Sequence, residues 1–129
     1  MATIEDWLAK SPPEIRSMAR RARAVALEEL PGVQELVDLP DNLLAFGPSK
    51  EGAGIRMRDL VLGLIPHARW VNAQLANAVD LPDPAGLLEG TGKRIRHVKL
   101  RSEAAAERPE FRQLLRDAWR HAGHGRDRD

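Results

Sequence analysis

Apolar residues recur at three- and four-residue intervals after a proline-containing stretch near the start of the chain, which predicts an amphipathic helix. The stretch is Ser11-Pro12-Pro13-Glu14, an S-x-x-E capping box in which Ser11 caps and Pro12 takes the first helical position. Pro31-Gly32 is expected to end this helix. Its apolar positions are Ile15, Met18, Ala19, Ala22, Val25, Ala26 and Leu30.

The same periodicity returns near the other end of the chain. It predicts a helix that opens at Pro109 and closes at Gly123. A shorter amphipathic turn is expected around Ile4, and the two tryptophans on these helical stripes, Trp7 and Trp119, are expected in the core. The apolar positions are Ile4, Trp7 and Leu8 near the start, and Phe111, Leu114, Leu115, Ala118 and Trp119 near the end.

Between these helices, proline and glycine interrupt the chain every ten or so residues, and the short segments between them favour strands. The candidate strands are residues 33–39, 42–47, 57–65, 69–76 and 94–101, with a loop at 47–54. The third is apolar at nearly every position and is therefore expected at the centre of the sheet. Asp83-Pro84 is expected to cap a short helical turn through Leu88.

This order of elements predicts an α+β domain, an antiparallel sheet of about five strands with the N- and C-terminal helices packed on one face. The length of 129 residues suits one domain, so we expect a single domain over residues 1–121 and a flexible tail over residues 122–129.

Composition excludes several classes of function. The chain has no cysteine, which excludes disulfides, thiolate metal sites and cysteine nucleophiles. Its 20 basic and 19 acidic residues nearly cancel in charge, so the composition does not indicate a strongly basic nucleic-acid binder. The start, MATIEDWLAK, lacks the apolar run of a signal peptide, and the longest apolar run, residues 60–66, is too short to span a bilayer. We therefore expect a cytoplasmic protein without a membrane partner.

Residues 86–101, GLLEGTGKRIRHVKLR, have the glycines and cations of a phosphate-binding loop but not its spacing. Counted from Gly86, the position of the second Walker glycine is Thr91, and Lys93 is followed by Arg94. A dinucleotide fingerprint from Gly90 fails in the same way at Ile95. The chain also lacks a nucleophile elbow, a catalytic His/Asp/Ser constellation and a histidine metal motif. We expect a binding protein and not an enzyme.

The basic segment has two interpretations. In the first, its charged side chains lie on a solvated strand edge and block edge-to-edge pairing with another sheet. In the second, they bind an anion or a nucleic acid. Ile95 has the opposite parity to Val98 and Leu100, so we expect a bulge near residues 96–97 or a strand that begins at His97. The basic residues of this candidate surface are Lys93, Arg94, Arg96, Lys99 and Arg101.

Trp70 and Asn72 have the polar parity of their strand, whereas Val71 and Ala73 have the core parity. If the basic strand is a neighbour, the aromatic ring, the amides of Asn72 and Gln74 and a guanidinium group form a small ligand site. The alternative is that a terminal helix covers this face and that Trp70 belongs to the core.

Five acids and no base stand between Glu28 and Pro48. They are candidate oxygen ligands for a hard metal ion, with an ordinary solvated acidic edge as the alternative. Two glutamates at the end of a helix also oppose its dipole. The acids are Glu28, Glu29, Glu35, Asp38 and Asp41.

Two stretches resemble the YdhG-like family, a group filed as a domain of unknown function. They are ELPGVQELVDLPDNLLAFG and PHARWVNAQLANAVDLPDPAGLLEGTGKRIRHVKLRS, and the resemblance extends over about residues 11–119. It implies an α+β fold related to frataxin and CyaY. Some members are described as iron chaperones, which makes iron the candidate ligand of the five acids. Arginines at positions 16, 20, 21 and 23 depart from a continuous acidic ridge.

The sequence therefore predicts a non-catalytic, YdhG-like binding protein of undetermined ligand, with frataxin-like iron binding or delivery as the leading hypothesis. The first alternative is binding of a small anion or a nucleic acid through residues 93–101. The second is a homodimeric interaction module that pairs through an exposed edge strand.

Overall fold

Five antiparallel strands form one sheet in which the order along the chain is also the order in space. The computed structural model describes residues 2–48 and 59–123. The strands are β1 (Gln34–Asp38), β2 (Leu43–Gly47), β3 (Leu62–Pro66), β4 (Val71–Ala76) and β5 (Ile95–Leu100). The helices are α1 (Ile4–Ala9), α2 (Pro13–Glu29), α3 (Glu103–Glu107) and α4 (Pro109–His121), with a 3₁₀ turn at Ala78–Asp80. The predicted α+β architecture, with the third strand at the centre, is confirmed.

The helices pack on one face of the sheet and form the core with it. A row of buried side chains crosses the sheet there, from Leu44 through Leu64 and Ala73 to Val98. The five predicted apolar positions of α4 are all buried in the same cluster, together with the core positions of α2. The opposite face, called the outer face below, carries the strand residues of the other parity, including Asn72, Gln74 and Lys99.

The two tryptophans expected in the core are buried there, and each has a backbone partner for its indole N–H. Trp7 donates to the carbonyl of Asn42 at 3.2 Å, and Trp119 donates to the carbonyl of Pro31 at 3.1 Å. A buried indole without such a partner would cost free energy, so these bonds fix where α1 and α4 sit on the core. None of the described helices is long and apolar enough to cross a bilayer.

The predicted capping box at Ser11 is wrong. The helix α2 begins at Pro13, and its N-cap, Pro12, has no side-chain oxygen to offer. Ser11 instead belongs to the turn that ends α1, where its N–H donates to the carbonyl of Leu8 at 3.1 Å. Its carbonyl accepts a hydrogen bond from Arg16 at 2.7 Å. Ser11 therefore lies one position before the N-cap of α2, and no side chain caps the first turn of that helix.

The helical turn expected through Leu88 is also wrong. Asp83 does act as a cap, because its carboxylate accepts the N–H groups of Leu87 and Leu88, each at 2.9 Å. The chain then stays extended, and Glu89 exchanges two backbone hydrogen bonds with His97 along the free side of β5. Pairing with β5 therefore replaces the predicted helical turn.

The strand β5 is regular from its first residue, so the predicted bulge or late start at His97 is wrong. Ile95 pairs with Ala76, and the register continues without interruption to Leu100 opposite Val71. The parity argument itself holds, since Ile95 points to the outer face while Val98 and Leu100 point to the core. A short helix that the sequence pattern did not predict, α3, follows β5, and Ser102 caps it by accepting the N–H of Ala105 at 3.0 Å.

Several expectations fall partly on residues outside the described ranges. These are most of the loop at 47–54, the first two residues of the strand predicted at 57–65, and the last six residues of the tail at 122–129. Within the described part, that strand begins at Leu62. The division into one domain and a tail stays a prediction.

Candidate functional site

Trp70 stands on the outer face, immediately before β4, and two cations lie beside its ring, one on β5 and one directly after it. Lys99 is the cross-strand partner of Asn72, which brings its Nζ to 4.8 Å from the centre of the Trp70 ring. The guanidinium carbon of Arg101 lies 5.8 Å from the same centre. The condition that the sequence left open, that the basic strand is a neighbour of the Trp70 strand, is therefore met.

Trp70 is not a core residue, and the alternative that a helix covers it is wrong. The strand that follows buries Val71, Ala73 and Leu75 against the helices. Strand side chains alternate between faces, so the even positions from Trp70 onward must point away from the helices. Trp70 is accordingly only partly buried.

A tight turn holds the indole ring in place. The backbone N–H of His67 donates to the carbonyl of Trp70 at 2.8 Å, and the two rings stack with centres 5.2 Å apart. The indole N–H donates to Oδ1 of Asn72 at 2.7 Å. The amide nitrogen of Asn72 in turn lies 3.0 Å from Nε2 of His67. The ring is thus fixed by β4 and by the end of β3, while β5 supplies the cations.

The basic residues of the predicted surface do not share one face. Arg96 pairs with Leu75, whose side chain lies in the core, so Arg96 has the parity opposite to that of Lys99. Its Nε donates to the carbonyl of Gly92 at 2.9 Å. Lys93 and Arg94 precede the strand and are exposed. Strand alternation therefore leaves Lys99 and Arg101 as the cations at Trp70.

Within the two described ranges, one acid forms an ion pair with these two cations. Lys99 lies 3.8 Å from the carboxylate of Glu89, a long ion pair whose acid is about half exposed. The indole face attracts both cations through its quadrupole but does not neutralise their charge. Two adjacent cations on an exposed face attract an oxyanion, and a guanidinium group can hold it with two parallel hydrogen bonds. We call Trp70, Asn72, His67, Lys99 and Arg101 the Trp70 site.

Sequence reasoning missed His67, although a local signal was available. Histidine and tryptophan stand three residues apart in PHARW, where the chain was expected to turn from one strand into the next. A turn of four residues brings its first and last residues together, which lets their rings stack as they do here.

The five predicted metal ligands are not brought together. Glu28 and Glu29 face arginines of α4, and Glu35 forms two hydrogen bonds with Arg23 of α2, at 2.6 and 2.9 Å. The carboxylate of Asp38 accepts the backbone N–H of Asp41 at 3.4 Å. Within residues 2–48 and 59–123, no group of three or more His, Asp or Glu side chains is placed to hold a metal ion. The acids are close together in sequence, but in the fold several of them form ion pairs with arginines of the helices.

Glu29 is the centre of an ion network between helices. It accepts hydrogen bonds from Arg112 at 2.9 Å and from Arg116 at 2.7 Å, and Arg112 also contacts Glu28 and Glu107. Burial raises the pKa of Glu29, but the bonds from the two arginines outweigh it and hold that pKa below its ordinary value. The bonds that Arg112 donates to Glu29 and Glu107 raise the pKa of its guanidinium group. These glutamates therefore have a structural role that the sequence alone did not indicate.

Comparisons of the chain with protein-family models, with curated proteins and with solved structures found no match.

Proposed function

We propose that this protein is a non-catalytic binding protein and that its ligand is a compact oxyanion, a phosphate or sulfate group, held at the Trp70 site. The observation that carries the proposal is the position of two cations over one partly exposed indole ring, at 4.8 and 5.8 Å from its centre. A bound oxyanion would accept charge-assisted hydrogen bonds from Lys99 and Arg101 and would relieve their mutual repulsion.

The site favours a compact anion over a nucleic-acid strand. Proteins that bind single strands stack bases on exposed aromatic faces. Here His67, which follows β3, already stacks on the indole of Trp70. The two cations approach the ring from the opposite side, where β5 pairs with β4. A base would have to displace one of these contacts, whereas an oxyanion uses the cations as they stand.

The test is a calorimetric titration with inorganic pyrophosphate at low and at moderate ionic strength. The protein is expected to bind, more weakly at the higher salt concentration because the site is exposed and its charges are screened. The double variant Lys99→Ala, Arg101→Ala is expected to lose at least about tenfold in affinity, which corresponds to about 1.4 kcal/mol.

The matched control instead removes two cations away from the Trp70 site, one on α2 and one between α3 and α4. Arg20 and Arg108 are exposed by 57% and 47%, and their ion pairs with Glu5 and Glu110 are long, at 3.4 and 3.5 Å. The variant Arg20→Ala, Arg108→Ala has the same net charge as the site variant, and it is expected to bind pyrophosphate like the wild type. Equal losses in the two variants would mean that net charge, and not the Trp70 site, attracts the anion. The proposal would then be wrong.

Iron binding by Glu28, Glu29, Glu35, Asp38 and Asp41 is the weaker proposal. It rests on the YdhG-like resemblance, and three of these acids would have to release arginine partners to serve as ligands. Calorimetry with ferrous and ferric iron under controlled redox conditions tests it. Equal binding by the wild type and by a variant with the five acids neutralised would exclude it.

YdhG-like membership and a homodimer stay predictions, and light scattering would test the homodimer.

A further inference from the structure

A cavity of about 290 Å³ lies between the loop at residues 82–85 and the helix α4. We infer that this cavity binds a small primary ammonium ion, with the apolar body of the ligand inside it and the ammonium group at the carboxylates that line it. The cavity shares no residue with the Trp70 site, and its ligand has the opposite charge. The inference is therefore independent of the proposed function.

The interior of the cavity is almost wholly apolar. Pro82, Pro84 and Ala85 line it from the loop, and Pro109 and Leu114 line it from α4. An apolar cavity of about 150 Å³ is large enough to hold benzene. A cavity of about 290 Å³ therefore has room for a six-membered ring with a short side chain.

Hydrogen bonds within the loop hold this wall of the cavity in place before a ligand binds. The carboxylate of Asp83 accepts the N–H groups of Leu87 and Leu88, each at 2.9 Å. The carbonyl of the same residue accepts the N–H of Gly86 at 3.0 Å. The prolines of the loop add rigidity, because their rings fix φ. A preformed cavity needs little ordering when a ligand enters, which favours binding.

The charges around the cavity select a cation. Of the nine described residues that line it, three are acids and none is a base. Two of the acids have arginine partners: Glu110 pairs with Arg108 at 3.5 Å, and Asp117 pairs with Arg120 at 3.2 Å. Backbone N–H groups bind the third acid, Asp83, without neutralising its charge. The three acids therefore outnumber the two arginines that pair with them.

Among the three acids, Asp117 is the best acceptor for the ammonium group. Glu110 stands in the first turn of α4, where the helix dipole disfavours a cation, but this effect falls off within that turn. Asp117 lies two turns further along, and its side chain is 16% exposed. Its Oδ1 accepts hydrogen bonds from Gln113 at 2.9 Å and from Arg120 at 3.2 Å. A carboxylate has about four acceptor positions, so Asp117 can accept a further donor.

The lining residues also favour a primary ammonium group over a quaternary one. Quaternary ammonium ions are recognised by aromatic side chains. No aromatic residue is among the nine described lining residues. A primary ammonium group has three N–H donors, which match the acceptor oxygens of the carboxylates.

The first experiment is a titration with benzylammonium at pH 7 and constant ionic strength, followed by backbone ¹H–¹⁵N NMR. We expect saturable shifts of the signals of Asp83, Ala85, Gln113 and Asp117, and little change at the Trp70 site. Absence of a saturable shift, or shifts centred on other residues, would overturn the inference. Neither result would affect the anion site.

The second experiment compares benzylammonium with three ligands that have the same ring. Benzylammonium is expected to bind at least about fivefold more tightly than neutral benzyl alcohol, which corresponds to about 1 kcal/mol. Benzoate and benzyltrimethylammonium are both expected to bind more weakly than benzylammonium. Equal affinities for benzyl alcohol and benzylammonium would mean that the cavity does not select a cation, and tighter binding of the quaternary ion would exclude the primary ammonium group. Either result would overturn the inference.

The third experiment tests the role of Asp117. The variant Asp117→Asn removes the charge but keeps the Oδ1 atom that accepts the two hydrogen bonds. It is expected to lose about fivefold in affinity for benzylammonium and to bind benzyl alcohol like the wild type. The control Glu5→Gln removes the same charge from α1, at a side chain that is 73% exposed, and is expected to bind both ligands like the wild type. An unchanged affinity in Asp117→Asn, or equal losses in the two variants, would overturn the inference.

Discussion

The ion network around Glu29 predicts a large difference between two adjacent glutamates. The Glu29 side chain is 13% exposed and accepts bonds of 2.9 and 2.7 Å from two arginines, whereas Glu28 is 59% exposed and has one bond of 3.3 Å. Hydrogen bonds to charged groups contribute about 1.5–3 kcal/mol each, and exposed ion pairs contribute about 0–1 kcal/mol. Glu29→Gln keeps the shape of the side chain but removes its charge. We expect it to lose about 2 kcal/mol of unfolding free energy and Glu28→Gln to lose less than about 0.5 kcal/mol.

The assay is urea unfolding of both variants and the wild type at neutral pH and at a series of lower pH values. The pKa of Glu29 is lowered in the folded protein. A lowered folded-state pKa means that the stabilisation is complete above the ordinary glutamate pKa and is lost as the pH falls through the folded-state value. The difference between wild type and Glu29→Gln should therefore be full at pH 7 and should shrink under acidic conditions. Equal losses in the two variants, or a loss that does not change with pH, would refute this account of the network.

Two further predictions concern the turn before β5 and the core. An ideal Cβ at Gly92 would lie 2.4 Å from the backbone oxygen of Ile95. The variant Gly92→Ala should therefore lose more than about 1 kcal/mol of unfolding free energy, measured by urea unfolding. A loss below about 0.5 kcal/mol would contradict that close approach. Leu115 of α4 is fully buried, so Leu115→Ala should lose about 2–5 kcal/mol of unfolding free energy. The variant Gln113→Ala, on the exposed side of the same helix, should lose less than about 1 kcal/mol. Similar losses in the two variants would contradict the assigned core face.

Much of the fold could be predicted because periodicity reports burial directly. The stripe from Phe111 to Trp119 has one buried face, and the alternation from Val71 to Leu75 places one parity in the core. The errors lie where a longer-range contact decides local structure. Asp83 caps its turn as expected, but pairing of Glu89 with His97 keeps the following residues extended. That pairing depends on a strand eight residues further along the chain, which no local pattern encodes.

The two candidate sites, the Trp70 site and the five acids, also differ in how far the sequence could predict them. Strand alternation put Trp70 on the polar face of its strand, but only the pairing of β4 with β5 in the structure brings Trp70 beside the basic strand. The acids could not be judged from sequence, because their partners are distant along the chain. Glu29 meets Arg116, 87 positions later. A run of acids without a base in sequence is therefore no guide to its charge balance in the fold.

The three tryptophans provide the most direct test of the central claim, that an anion binds at the Trp70 site. Trp7 and Trp119 are buried and bonded to backbone carbonyls, whereas Trp70 is partly exposed and bonded to Asn72. Indole N–H signals followed by NMR during a sulfate titration at constant ionic strength report on each ring separately. We predict a saturable shift of the Trp70 signal, little change in the other two, and loss of the shift in Lys99→Ala, Arg101→Ala. A Trp70 signal that does not move, or equal shifts of all three signals, would contradict the claim.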